Sequence, residues 1–176
     1  AGKTVHRGVY PEAEIIRFME TALRLLHDRR LPLLVRLAVF HYLFAYIHPF
    51  YDGNGRMSRF ISSYLLSKNL EQIISYRLAY AIKKDTAKYH KMFKLTNDAD
   101  NRGDITMFTL YFMELIRDTM ADLYRKFNDY LDMLEVYRKQ ISESAYDDTG
   151  RDVLYILTQN TLFNNEGLTI DRKSVV

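Results

Sequence analysis

The residues best suited to chemistry stand together in one run, His48-Pro49-Phe50-Tyr51-Asp52-Gly53-Asn54-Gly55-Arg56-Met57-Ser58-Arg59. Proline drives the residue before it out of the helical region, so His48 ends the apolar helix that precedes it and is partly freed from it. Asp52 to Gly55 reads as a tight turn whose glycines permit positive φ and close backbone approach. A helix begins straight after it. Such a turn leaves several backbone N–H groups unpaired and aimed at one point, which with the helix dipole makes an anion site. Arg56 and Arg59 are three apart and share one face of that helix. Both can fork onto phosphate oxygens. Two cations at the positive end of a helix are unfavourable by themselves, and an anion would relieve them. A lone carboxylate, Asp52, beside a phosphate site suits Mg²⁺, which keeps waters and takes its other ligands from phosphate. Histidine titrates near neutral pH and is the natural general base for a hydroxyl. The local chemistry is therefore phosphoryl or nucleotidyl transfer from a polyphosphate.

The elements that must hold this run are helices. Glycine and proline are absent from 56–102 and from 104–149, and these stretches are rich in Leu, Met, Lys, Arg and Glu. Pro11 suits a first helical turn, and Ile15, Ile16, Met19, Leu23 and Leu26 recur at helical spacing to about His27. Pro32 opens a second helix, apolar nearly all round, that ends near His48. A third is expected from about Arg56 to Lys68 with Phe60, Ile61, Tyr64 and Leu65 inward, and a fourth over about Leu78 to Leu95. Asp104 or Thr106 can cap a long helix reaching about Ser144. The head, 1–9, reads as extended chain or half a β-hairpin. Asp147 to Gly150 reads as a break, Arg151 to Asn160 as a helix, Asn164 to Gly167 as a turn and Leu168 to Ile170 as a short strand.

Composition narrows the class. The 176 residues fit one main domain, with 48% apolar and 27% charged residues, which excludes disordered and collagen-like chains. With no cysteine there is no disulfide, thiolate metal site or cysteine nucleophile, and a reducing cytoplasm is the expected location. A formal net charge of +3, spread along the chain, does not argue for nucleic acid or an acidic membrane. The most apolar stretch, 31–47, is short for a membrane span and carries Arg36, so it reads as a core helix. His41 within it reads as a hydrogen-bonded core histidine, and His27 and His90 as surface residues. Tyr89, like most of the fourteen tyrosines, reads as core rather than as the wall of a base pocket.

The run at 48–59 resembles the signature of the Fic family, HPFx[DE]GN[GK]R followed by a second arginine, at every fixed position. Gly103-Asp104-Ile105-Thr106 is similar to a turn that opens a later helix in such domains. The resemblance spans about 10–115. It implies an all-α fold and transfer of AMP from ATP to a hydroxyl of a target protein's Ser, Thr or Tyr. In those terms His48 would be the general base and Asp52 would hold Mg²⁺. Gly53, Asn54 and Gly55 would hold the α- and β-phosphates, Arg56 the outer phosphates and Arg59 the γ-phosphate. Phe50 would anchor the loop in the core. Gly53 and Gly55 replace the Ala and Lys of the Doc branch, whose members act as kinases, which argues for nucleotide transfer.

The expected organisation is a catalytic domain at 1–146, with 1–9 as part of a flap that clamps the target, then a linker and the start of a winged-helix-like domain at 147–176. That tail, cut short, would contact DNA only if completed. The family's inhibitory pattern, [ST]xxxE[GN], is not matched. Thr161 and Glu166 are five apart, a helical turn of about 500° that puts them on different faces, and Leu162 stands at the required position. Ser67 and Glu71 are correctly spaced, but Gln72 follows. Inhibition would then come from a partner or another segment. Competing functions are transfer of another nucleotide, removal of AMP by the same site, and a nucleotide-sensing regulator that uses the winged helix.

Overall fold

A computed structural model describes residues 8–70 and 72–163. Among these residues every regular element is helical, with no strand: α1 (Glu12–His27), α2 (Leu33–Ile47), α3 (Asn54–Asn69), α4 (Gln72–Lys84), α5 (Thr86–Thr96), a 3₁₀ turn (Ala99–Asn101), α6 (Thr106–Ser142) and α7 (Asp148–Phe163). The all-α class that the resemblance implies holds, as do the helices expected from the breaker pattern. The chain divides into two compact units, 1–120 and 121–176. Residues 1–7 of the expected half-hairpin, and the turn and strand expected over 164–170, lie outside the described residues.

In the first unit α2 is the central element, because its sequence is apolar on every face. Leu37, Ala38, Phe40, Tyr42, Phe44 and Ile47 are all buried. Phe40, Phe44 and Ile47 pack with Ala22, Phe18 and Met19 of α1. Leu37, Ala38 and Tyr42 join Leu66, Leu78, Tyr89, Met92, Phe108 and Phe112 in a second cluster. Each large apolar side chain fully buried in this way contributes about 1.5–3 kcal/mol.

Three local expectations change. The single helix expected over 78–95 is two, because Asp85 leaves the helical region (φ −137°, ψ 65°) and its carboxylate accepts from Lys88 N–H to start α5. On α3 the inward stripe is Asn54, Ser58, Ser62 and Leu66, four residues apart, whereas Phe60 and Tyr64 are 67% and 52% exposed. Ile61 and Leu65 pack against the core as expected, while the small serines bring α3 close to α2 and Phe60 and Tyr64 are displaced to the open side. In the second unit Gly150 lies inside α7, not in the break. Asp147 Oδ1 accepts Gly150 N–H at 2.9 Å and caps the helix there. Asp104 does act at the start of α6, accepting Thr106 N–H at 2.8 Å.

Candidate active site

α2 ends in a left-handed residue. His48 has φ 57° and ψ 57°, and its N–H still donates to Phe44 O at 3.1 Å. For a side chain with a Cβ this conformation costs about 1–2 kcal/mol, and Pro49 prevents the helix from continuing. The imidazole is exposed, and its Nδ1 is 3.3 Å from Ala45 O. A carbonyl only accepts, so this contact favours the tautomer with the hydrogen on Nδ1 and the lone pair on Nε2.

The loop from Pro49 to Gly53 is held by Asn54, which is 2% exposed. Its Oδ1 accepts Phe50 N–H at 3.0 Å and its Nδ2 donates to Phe50 O at 2.6 Å. Both ends of the amide are therefore committed to the loop, and what Asn54 can offer an anion is its backbone N–H. Phe50 itself is 51% exposed, contrary to the expected core anchor. Its ring lies at the edge of the core, 6.2 Å from Phe44, and the loop is pinned through the Phe50 backbone instead. Asn54→Ala leaves a backbone N–H and a C=O without partners. We expect it to lower stability by about 1–3 kcal/mol, read as a drop in urea midpoint. An unchanged midpoint would show that the loop is held elsewhere.

α3 begins at Gly53, which has φ 82° and contributes no side-chain cap. The N–H groups of the first turn, at Asn54, Gly55 and Arg56, thus form an uncapped helix N-terminus. Both guanidiniums fold back over this end. A Cβ on Gly53 would stand 3.7 Å from Arg56 Nη2, and a Cβ on Gly55 3.3 Å from Arg59 Nη1. The two glycines leave room for the two cations beside the N–H groups. Asp52 is exposed, its Oδ2 3.1 Å from Arg56 Nη2 and its Oδ1 accepting Gly53 N–H at 2.6 Å. An exposed i,i+4 ion pair is weak and can yield to a stronger ligand. Among the described residues no group of three or more His, Asp or Glu could hold a metal ion. A cation here would meet Asp52 as its protein ligand, and phosphate and water would complete its shell.

Beneath the site lies His41, fully buried on α2. Its Nδ1 is 2.8 Å from Ser62 Oγ on α3, and its Nε2 is 2.8 Å from Tyr89 Oη on α5. Burial, with the Arg59 charge added to it, pushes the imidazole down to about 3, so it is neutral. Burial also pushes the Tyr89 phenol up to about 12. The expectation of a hydrogen-bonded core histidine holds. His27 and His90 are exposed.

One feature was not anticipated. A cavity of about 510 Å³ runs from Arg56 and Arg59 along Phe60, Ser63, Tyr64 and Ser67 to α4. Its aromatic wall is the exposed Phe60 and Tyr64. The i,i+4 spacing of that pair, with two serines beside it, was the available signal. It was obscured by assigning both rings to the core.

Residues 2–66 match the model of the Fic/DOC family. The protein adenylyltransferase Fic of Drosophila virilis and that of Drosophila melanogaster are each 36% identical to this chain over 87 residues, which is 49% of this chain and 16% of theirs. The chain thus spans only a small part of the length of these relatives. The crystal structure of a Fic family protein from Desulfovibrio desulfuricans G20 is similar in fold, with a TM-score of 0.60 at 22% identity. The likeness covers 87% of this chain and 48% of that one. No helix among the described residues is long and apolar enough to cross a membrane.

Proposed function

We propose that this chain, whose residues 2–66 match the model of the Fic/DOC family, is a protein adenylyltransferase. It would move AMP from ATP to a hydroxyl of a target protein. The observation that carries this reading is the start of α3. An uncapped helix N-terminus and two arginines folded over glycines lie immediately after a histidine held at the exposed end of α2. The triphosphate would lie on the N–H groups of Asn54, Gly55 and Arg56, with the guanidiniums of Arg56 and Arg59 on its outer oxygens. His48 Nε2 takes the proton of the attacking hydroxyl. The new O–P bond forms at the α-phosphorus as the bond to the β-phosphate oxygen breaks, and pyrophosphate leaves with its charge met by the helix N-terminus and Arg56. The cavity beside the arginines has the size and aromatic lining for a nucleoside, which supports a nucleotide over a bare phosphate as ligand.

Mg²⁺ would accompany the nucleotide as its counter-ion, and Asp52 is the carboxylate placed to meet it. Asp52→Ala should abolish the Mg²⁺ dependence of ATP binding. Because the same change releases Arg56 and removes a negative charge, ATP affinity without metal should be equal or higher. Calorimetric titrations with and without Mg²⁺ test this, and a metal dependence equal to that of the wild type would overturn the assignment.

The test of the proposed activity is to incubate the protein and a cell lysate with Mg²⁺ and ATP labelled at the α- or the γ-phosphate. Label carried to protein from the α-position only supports adenylylation. Label from the γ-position only would make this a kinase. Label from neither would turn attention to another nucleotide donor, to removal of AMP, or to a nucleotide-sensing regulator.

A further inference from the structure

We propose that Gly8 is a positioning residue for His48, and that its lack of a side chain is what lets the chain ahead of α1 clamp the turn that carries the base. The inference rests on the catalytic role proposed above for His48.

The contact is unusually close. A Cβ on Gly8 would stand 2.8 Å from His48 Cβ, 3.0 Å from Ile47 O and 3.4 Å from His48 O. Two of these three atoms are backbone carbonyl oxygens of the α2 terminus, and the third is the first side-chain atom of the histidine itself. None is the far end of a flexible side chain, so none can swing away without moving the turn. What Gly8 provides at this point is space.

The next residue completes the clamp. Val9 N–H donates to Ile47 O at 3.0 Å, the carbonyl immediately before His48. Its side chain packs with the cluster of Ala22, Phe40, Phe44 and Ile47. Residues 8 and 9 therefore meet the end of α2 through a hydrogen bond to Ile47 O and a close approach to Ile47 O and His48. His48 needs such support, because it sits in the left-handed region where a non-glycine residue is disfavoured. A Cβ at position 8 would push the histidine's Cα–Cβ bond and the carbonyls beside it, and displacements of about 1 Å at a reacting group can cost 10²-fold in rate.

The test compares the wild type with Gly8→Ala. The first readout is the Cε1–Hε1 NMR signal of His48, assigned by its disappearance in His48→Ala. It should shift in Gly8→Ala while the signals of His27 and His90 stay in place. The second is steady-state transfer, in which kcat should fall about tenfold or more while the KM for ATP is retained, since the atoms nearest a Gly8 Cβ belong to Ile47 and His48 and not to the start of α3. An unmoved His48 signal would overturn the inference whatever the activity. A shifted signal in a protein whose wild type transfers no nucleotide would leave the positioning role intact and refute the proposed function instead. If Gly8→Ala lowers the folded fraction, Val9→Pro provides the second variant. It removes the N–H that binds Ile47 O without adding an atom at position 8, and should shift the same signal. A His48 signal indifferent to the loss of that bond would equally overturn the clamp.

Discussion

Replacing His48 by alanine is expected to lower AMP transfer by about 10²–10⁴-fold while leaving ATP binding unchanged. The separation follows from where the residue sits. The N–H groups and arginines proposed to hold the phosphates belong to α3 and its cap, from Gly53 onward, and His48 belongs to the end of α2. Its side chain is exposed, so folding should be little affected. His48→Asn is the sharper form of the test. Asparagine is among the side chains best tolerated in the left-handed conformation and cannot act as a base near neutral pH. It should preserve the turn and still lose the transfer. Retained transfer in the asparagine variant would overturn the base role, and equal loss of ATP binding in both variants would show that His48 is part of the nucleotide site.

The second large effect is on stability, at His41. His41→Ala leaves the hydroxyls of Ser62 and Tyr89 without their partner in a dry core and opens a cavity among Tyr89, Phe108 and Phe112. The combined loss should be about 3 kcal/mol. For a chain of this length that is roughly 6–12 °C in Tm. The same residue carries a pH dependence with a definite sign. Its folded-state value of about 3 lies below the ordinary histidine value, so acid protonates the unfolded chain first. The contribution is complete above about pH 6.5 and is lost as pH falls toward the folded-state value, at about 1.4 kcal/mol per pH unit. His41→Gln removes the titrating group and should flatten that part of the stability curve between about pH 5 and 6.5. Chemical denaturation of both proteins across that range measures it. A slope unaltered by the substitution would mean that His41 is not held neutral in the folded protein.

The turn between α2 and α3 was legible because its signal is local. Pro49 ends a helix, the Asp52-Gly53 pair makes a turn, and a helix must follow, so His48, Asp52, Arg56 and Arg59 could be named from spacing alone. The helices were legible for the same reason, since breakers punctuate the chain and long stretches lack them. The break at Asp85 was missed because one aspartate inside a helical pattern reads equally as surface or as cap. Its capping of Lys88 N–H depends on the chain turning there.

On α3, Ile61 and Leu65 meet the core as expected, but Phe60 and Tyr64 were misread for a different cause. Hydropathy assigns phenylalanine and tyrosine inward and serine outward, and that rule fails where two helices must approach closely. Ser58 and Ser62 take the inner positions because they are small, and Ser62 finds His41 across the interface. Asn54 is similar. The resemblance puts it among the residues that hold phosphate, and the structure turns both of its side-chain polar atoms onto Phe50.

The amino-acid sequence by itself determined the helices, the end of α2 and the turn that follows it, since each rests on φ restriction, hydrogen-bond capacity or charge within a few residues. Only the tertiary structure decided which side chains close the core, that Asn54 serves the loop, that a nucleoside-sized cavity adjoins the arginines, and that Gly8 stands against His48. Those depend on contacts between residues distant along the chain. Their distances are set by how closely whole helices can pack, which no local pattern encodes.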